Sequence, residues 1–294
     1  MAAELITFND VPAPAAAATS RRRFLGAGDI AMVVAALVLG ILLLAAILAP
    51  VLPIPAPNAT DVGARFASVG SDGHLLGADA LGRDLLSRAL HGARISFLVA
   101  IVSTALGFVA GGALGLLAGY RGGPVDTFVM RTMDVILAFP ALVLVIAISA
   151  FLGPSLHNVI VGIGFFAIPA YARLSRASAL QLSSQDFVLA ARLVGRRGGA
   201  VLWKHYVPNV LPALMAFALI NIALAILVES SLSFLGLGLR PPTPSWGVMI
   251  AEGRASMLLA PHLVLVPGAF LFVTLVALNT VADGLRARRE RGRR

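Results

Sequence analysis

"FVLAARLVGRRGGAVLWKHYVPN", residues 187–209, sits between two apolar runs near 157–175 and 207–234. Each run approaches or exceeds the roughly 20 residues that cross a hydrocarbon core. The stretch between them holds Arg192, Arg196, Arg197, Lys204 and His205, and is too polar to cross. Read as helices, "FVLAARLVG" is a short amphipathic piece that stops at Gly195, the residue type best suited to the left-handed turn that closes a helix. "AVLWKHYV" is a second piece. It runs into Pro208, whose missing N–H has no intrahelical partner in the first turn of the next helix anyway. The pair predicts a helix–turn–helix elbow lying along one membrane face. Ala190 and Ala191 permit close approach of another surface, and the arginines suit acidic groups or anionic lipid. On residue type alone, a plain basic loop between spans fits equally well.

Working outward, 59% of the 294 residues are hydrophobic and 13% are charged, where a soluble domain carries about a quarter charged residues. With a mean hydropathy of +0.91, the chain reads as an all-α integral membrane protein in a lipid bilayer. It has no cysteine, which excludes disulfides and thiolate metal sites. Six apolar runs are expected to span, near 29–53, 95–119, 127–152, 157–175, 207–234 and 261–283. The first follows three arginines like a signal peptide, but its apolar core exceeds the usual 7–15 residues or so, so it reads as an uncleaved span.

Orientation follows from the 23 Lys and Arg residues, of which only Lys204 is a lysine. Arg21, Arg22, Arg23, Arg121, Arg173, Arg176, the elbow and the arginines from Arg286 onward fall on one side. Arg65, Arg83, Arg88, Arg94, Arg240 and Arg254 fall on the other. The excess marks the cytoplasmic side, which takes both termini, as an even number of spans requires. The expected layout is then a cytoplasmic tail over 1–28, a first span over 29–53 and an extracytoplasmic segment with an amphipathic helix over 54–94. A five-helix core over 95–283, with a cytoplasmic loop near 177–206, and a basic tail over 284–294 complete it. The net charge of +9 therefore concerns membrane sidedness and not nucleic acid.

Enzyme signatures are lacking. There is no phosphate-binding G-x-x-x-x-G-K-[ST] loop, and "GIGFFA" at 162–167 matches a dinucleotide pattern only by letters, inside an apolar span with no preceding strand. The five histidines are scattered, with no pair at i, i+4, so no metal or cofactor is expected. Gly107, Gly111, Gly115 and Gly119 recur every fourth residue and form one smooth face for helix packing.

Four places carry the remaining polarity. Asp134, inside the third span, needs a partner or a wet cavity. Arg131, three residues earlier, shares its helix face, and the pair reads as structural or, alternatively, as part of a proton relay. Pro140 removes a donor from the same span and predicts a kink, either static or a hinge. Glu229 faces the pathway or hydrogen-bonds to neighbouring serines. In "ADALGRDLLSRALHGARIS" (78–96), leucines and arginines alternate at helical spacing, so a helix lying on the outer surface is expected, tied down by Arg83 and Asp84. "RPPTPSWG" (240–247) reads as a stiff extended connector or as a docking surface, with Trp246 as an interfacial anchor.

Ala190, Ala191 and Gly195, with Pro208 thirteen positions after the glycine, resemble the "EAA" loop of ATP-binding-cassette importer permeases. "HYVPN" (His205 to Asn209) resembles the peptide-transporter branch, while Leu189 stands where the family motif has glutamate. "LLGADALGRDLLSRALHGARIS" (75–96), "MRTMDVILAFP" (130–140) and "ESSLSFLGLGLRPPTPSWGVMIAEGR" (229–254) resemble, in order, further segments of the second permease subunit of the peptide/nickel importers. The resemblance covers about 75–285. It implies a type I importer permease fold, a second homologous permease, two separate ATPase subunits and an extracytoplasmic substrate-binding protein. It also implies that the ATPase docks at the loop carrying Leu189, Ala190, Ala191, Gly195, His205, Pro208 and Asn209, and that the cargo is a dipeptide or oligopeptide. The competing reading from the residues is an ion-coupled carrier or channel, with Asp134 as coupling site and no ATPase. Matched broken spans, the mark of many such carriers, are not visible in the sequence.

Overall fold

The computed structural model of the chain describes residues 27–195 and 198–292. Most of the N-terminal tail, with Arg21, Arg22 and Arg23, lies outside these residues, as do Arg196, Arg197, Arg293 and Arg294. Among the described residues the fold is helical, with only isolated bridges at Ser71–His74 and Ala78–Asp84. The long helices are α1 (Ala27–Leu48), α2 (Leu85–Arg121), α5 (Leu156–Ser183), α8 (Val207–Phe234) and α10 (His262–Gly292). Shorter ones are α3 (Gly123–Leu137), α4 (Ala141–Leu152), α6 (Asp186–Leu193), α7 (Gly198–Val201) and α9 (Trp246–Gly253). Five segments, built on α1, α2, α5, α8 and α10, are long and apolar enough to cross a membrane.

The third expected span is divided. Helix α3 ends at Leu137 and α4 begins at Ala141, with Pro140 extended between them at φ −60°, ψ 123°. Proline cannot donate to the ladder, and its ring bars the preceding residue from the helical region. The expected kink is therefore a full break at Ala138–Pro140.

The outer helix is also corrected. It does not lie on the surface; it forms the first turns of α2, which runs unbroken for 37 residues, or about 56 Å. Asp84 caps it, accepting the Ser87 N–H at 2.7 Å. The amphipathic pattern is enclosed on both faces, since Arg83 and Arg88 are buried together with Leu85 and Leu90, and Leu81 is the exposed leucine of the stretch.

The core follows from the glycine stripe. Gly107, Gly111, Gly115 and Gly119 of α2 lie against Ala167, Ile168, Tyr171, Ala172, Arg176 and Ala179 of α5, so close that an added Cβ would stand 2.0–2.8 Å from its nearest neighbour. Small residues let two backbones approach, and dispersion over that long contact holds them together. Phe97 and Val99 of α2, Ile163 of α5, Ile226 and Leu232 of α8 and Trp246 of α9 close the half of the core away from the 187–209 segment.

Candidate functional site

The elbow takes the local form its residues dictate. Helix α6 ends as the Val194 N–H bonds to the Ala190 carbonyl at 3.1 Å, and Gly195 follows at φ +74°, the left-handed region that a side chain resists. Helix α7 passes through one π turn, Leu202–Tyr206, into α8, where Pro208 occupies the first turn. Val188, Val201 and Tyr206 are buried against Ala179, Leu182 and Leu116, with Ala191 packed on the same cluster. The Tyr120 hydroxyl donates to the Gly198 carbonyl at 2.9 Å, and its ring meets Tyr206 edge-on at 5.2 Å. One face of the elbow is thus fixed to α2 and α5.

The other face is apolar and open. Phe187, Leu189, Leu193, Val194 and Trp203 are exposed, Leu193 to 87% and Trp203 to 73%. Ala190, Gly195, Pro208 and Asn209 are exposed as well. His205 is half-buried, with its ring 6.0 Å from that of Phe187, and its backbone carbonyl accepts from Asn209 Nδ2 at 2.7 Å.

Two ion pairs join α3 to α5. Arg176 grips Asp126 with both ends of its fork, at 2.5 and 2.6 Å. Asp134 takes Arg173 Nη2 at 2.8 Å, each side chain 52% exposed. The expected Arg131 pair is not formed: the guanidinium of Arg173 reaches across from α5, and Arg131 stays exposed. Pro140 lies beyond this end of α3, in the break.

At the opposite end of the bundle, Arg83 and Arg88 clamp Glu252 of α9. Arg83 donates Nε to Asp79 Oδ2 at 2.6 Å and Nη2 to Glu252 Oε1 at 3.0 Å. Arg88, only 1% exposed, donates Nη2 to Glu252 Oε2 at 2.6 Å and Nη1 to Asn58 Oδ1 at 3.2 Å. His74 Nδ1 meets Asp84 Oδ1 at 2.9 Å. Asp79, Arg83, Arg88 and Glu252 border a cavity of about 240 Å³. Two acids and two bases balance, so the clamp is a neutral lattice that ties segment 58–84 to α2 and α9. Asp79, Arg88 and Glu252 were not singled out from sequence. The charge-dense "DALGRDLLSR" signals the first two, but nothing in local spacing points to Glu252, 164 residues from Arg88.

Glu229 is fully buried. Ser96 Oγ donates to its Oε2 at 3.0 Å and Ser233 Oγ to its Oε1 at 2.8 Å. Of the two placements the sequence left open, the structure has the serine-bonded one. Trp246 is not an interfacial anchor: it is enclosed between Phe97 and Phe270 and gives its indole N–H to the Ala89 carbonyl at 3.1 Å. The connector before it is not extended throughout, because Thr243 N–H closes a turn onto the Arg240 carbonyl at 3.2 Å.

A family model described as "binding-protein-dependent transport system inner membrane component" matches residues 111–294. The chain belongs to this family. The glutathione transport system permease protein GsiD of Pectobacterium atrosepticum is 41% identical over 235 residues, covering 80% of this chain and 78% of that protein. A putative peptide transport system permease protein of Brucella suis is 43% identical over 247 residues, covering 84% and 82%. Among solved structures, the inward-facing MetNI methionine ABC transporter matches with a TM-score of 0.56 at 18% identity, over 69% of this chain and 97% of that one. An amino acid ABC transporter matches at 0.52 and 14%, over 69% and 94%. Both share the fold.

The chain is therefore a permease subunit of an ABC importer of the peptide family, a multi-pass protein of the bacterial inner membrane. Such a permease works with ATPase subunits and a substrate-binding protein, and is not itself catalytic. In this permease the elbow and the arginine clamp lie at opposite ends of α2 and α8.

Proposed function

We propose that this permease forms half of a translocation pathway for dipeptides and oligopeptides, a second homologous permease forming the other half. Two ATPase subunits serve the pair, one seated on residues 187–209 of this chain. The observation that carries the reading is the open face of the elbow. Phe187, Leu193, Val194 and Trp203 are exposed on a segment whose other side is firmly packed. A contiguous apolar face of this kind marks a protein contact. With Leu189 at the glutamate position, the contact relies on apolar burial and the neighbouring basic residues, not on a carboxylate.

Closure of the ATPase pair on ATP pushes this elbow, and the packed helices pass the motion on as a switch between two arrangements. The relatives' names, glutathione and peptide permease, supply the cargo class. Hydrolysis takes place in the partner subunits, and a binding protein delivers cargo on the side of the clamp. Asp134 is bound to Arg173 and serves to hold α3.

Gentle affinity purification from native membranes, with the co-purifying subunits identified by mass, tests the reading. One related permease and phosphate-loop ATPases are expected. Monodisperse chain recovered alone, with uptake driven by an ion gradient, would overturn it in favour of a self-sufficient carrier.

A further inference from the structure

Helices α8 and α10 leave a trough of about 570 Å³ between them. Leu211, Met215 and Leu219 line it at i, i+4 and i+8, Pro212 and Ala216 lower its floor, and Leu285 and Arg288 of α10 form the opposite wall. Arg288 is the only charged residue in that lining. The trough runs about 12 Å along α8, at 1.5 Å per residue. It begins one turn inside α8, next to the elbow, and ends at the last turns of α10, so its charged end is on the cytoplasmic side. Met215 is 59% exposed in it.

Arg288 is held without being used up. Its Nε donates to Asp29 at 3.1 Å, and among the described residues its terminal nitrogens donate to no protein group. Its lining is apolar along the whole of its length except at Arg288, as an acyl chain requires. An apolar slot between membrane helices, closed at its cytoplasmic end by one guanidinium, matches the division of a lipid into chain and phosphate.

We propose that this trough binds an anionic phospholipid of the inner leaflet, with its acyl chain along Leu211, Met215 and Leu219 and its phosphate on Arg288. The inference needs only the membrane location and is independent of cargo and of ATPase docking.

The test uses the full chain with its co-purifying subunits, exchanged into mixed micelles of equimolar phosphatidylglycerol and phosphatidylcholine, with retained lipid measured by native mass spectrometry. Phosphatidylglycerol is expected to be enriched on the wild type. Arg288→Gln should reduce that enrichment about fivefold, as expected for one basic residue at an anionic surface. Met215→Trp fills the slot and should lower retention of both lipids. Asp29→Asn frees Arg288 and should preserve or raise phosphatidylglycerol retention, whereas a purely structural Asp29–Arg288 pair would make it fall with Arg288→Gln. Retention unchanged in both Arg288→Gln and Met215→Trp, or a fall in Asp29→Asn equal to that in Arg288→Gln, would overturn the proposal. So would efficient cross-linking of a cysteine at position 215 to the second permease.

Discussion

Replacing Gly115 by alanine tests the packing of the bundle at its tightest point. The new Cβ would stand 2.0 Å from the Ala172 carbonyl oxygen and 2.7 Å from its Cα, where ordinary contact begins at 3.4 Å. Both are backbone atoms in mid-helix, so no side-chain rotation relieves the clash. Helices α2 and α5 must part locally by about 1.4 Å, and gaps of 0.5–1 Å or so already forfeit a quarter to a half of each dispersion contact they open. Overpacking of this kind costs about 1–3 kcal/mol, while alanine returns about 1 kcal/mol of helix propensity.

Gly112, three residues earlier on the same helix, is the internal control. Its added Cβ meets only Leu214 Cδ1, the end of a flexible side chain, at 3.1 Å. There the propensity gain of about 1 kcal/mol largely survives. Thermal unfolding in mild detergent, followed by intrinsic fluorescence, should place Gly115→Ala about 2–12 °C below Gly112→Ala, at 2–4 °C per kcal/mol for a chain of this class. A Gly115→Ala protein melting at or above Gly112→Ala would refute the reasoning.

Further expectations follow from the other features. Glu252→Gln removes one charge from a clamp whose arginines are buried, for a loss of about 3 kcal/mol; protease added to right-side-out vesicles should cut segment 54–84 faster, and unchanged cleavage would count against the clamp. Ser233→Ala strips a donor from Glu229 and an acceptor from the Leu239 N–H, costing about 1–3 kcal/mol. Ser231→Ala, which loses only an exposed bond to Leu227, should melt close to wild type. At Gly195, φ +74° penalises valine by about 1–2 kcal/mol while asparagine is tolerated. ATP-driven uptake should fall in Gly195→Val and persist in Gly195→Asn, and equal uptake in both would dismiss the turn as a coupling element.

Local chemistry made much of this legible in advance. The span expected at 207–234 is α8 itself, the break after α6 lies at its glycine, and the four-residue glycine repeat is the α2–α5 contact. Each depends on residues within a few turns of one another, where periodicity and backbone preference decide. Long-range partners did not show. Asp134 looked to Arg131 because the two share a helix, yet Arg173, on another element, is the residue that reaches it. Arg83 was expected to tie down a surface helix, and Arg88 to lie on its polar side, but the partner they share, Glu252, is far away in the chain and did not show. Charge near an apolar run reads as surface until its counter-charge is found. Pro140 was read as a bend since apolar residues continue on both sides, and composition cannot tell a bent helix from two helices.

The π turn after α7 has a mechanical consequence. Because the chain stays helical from Gly198 to Phe234, the second limb of the elbow and the Glu229 end of α8 belong to one continuous rod of 37 residues, about 55 Å long. Its compliant points are the π turn and Pro212, both near the elbow. Beyond them it is stiff as far as the serine pocket, so whatever tilt passes these two points reaches the other membrane face nearly undiminished. A rod carries load in both directions. With the ATPase seated on the elbow as proposed, cargo or a binding protein shifting the Glu229 end would alter that seat by the same free energy with which the ATPase shifts the Glu229 end.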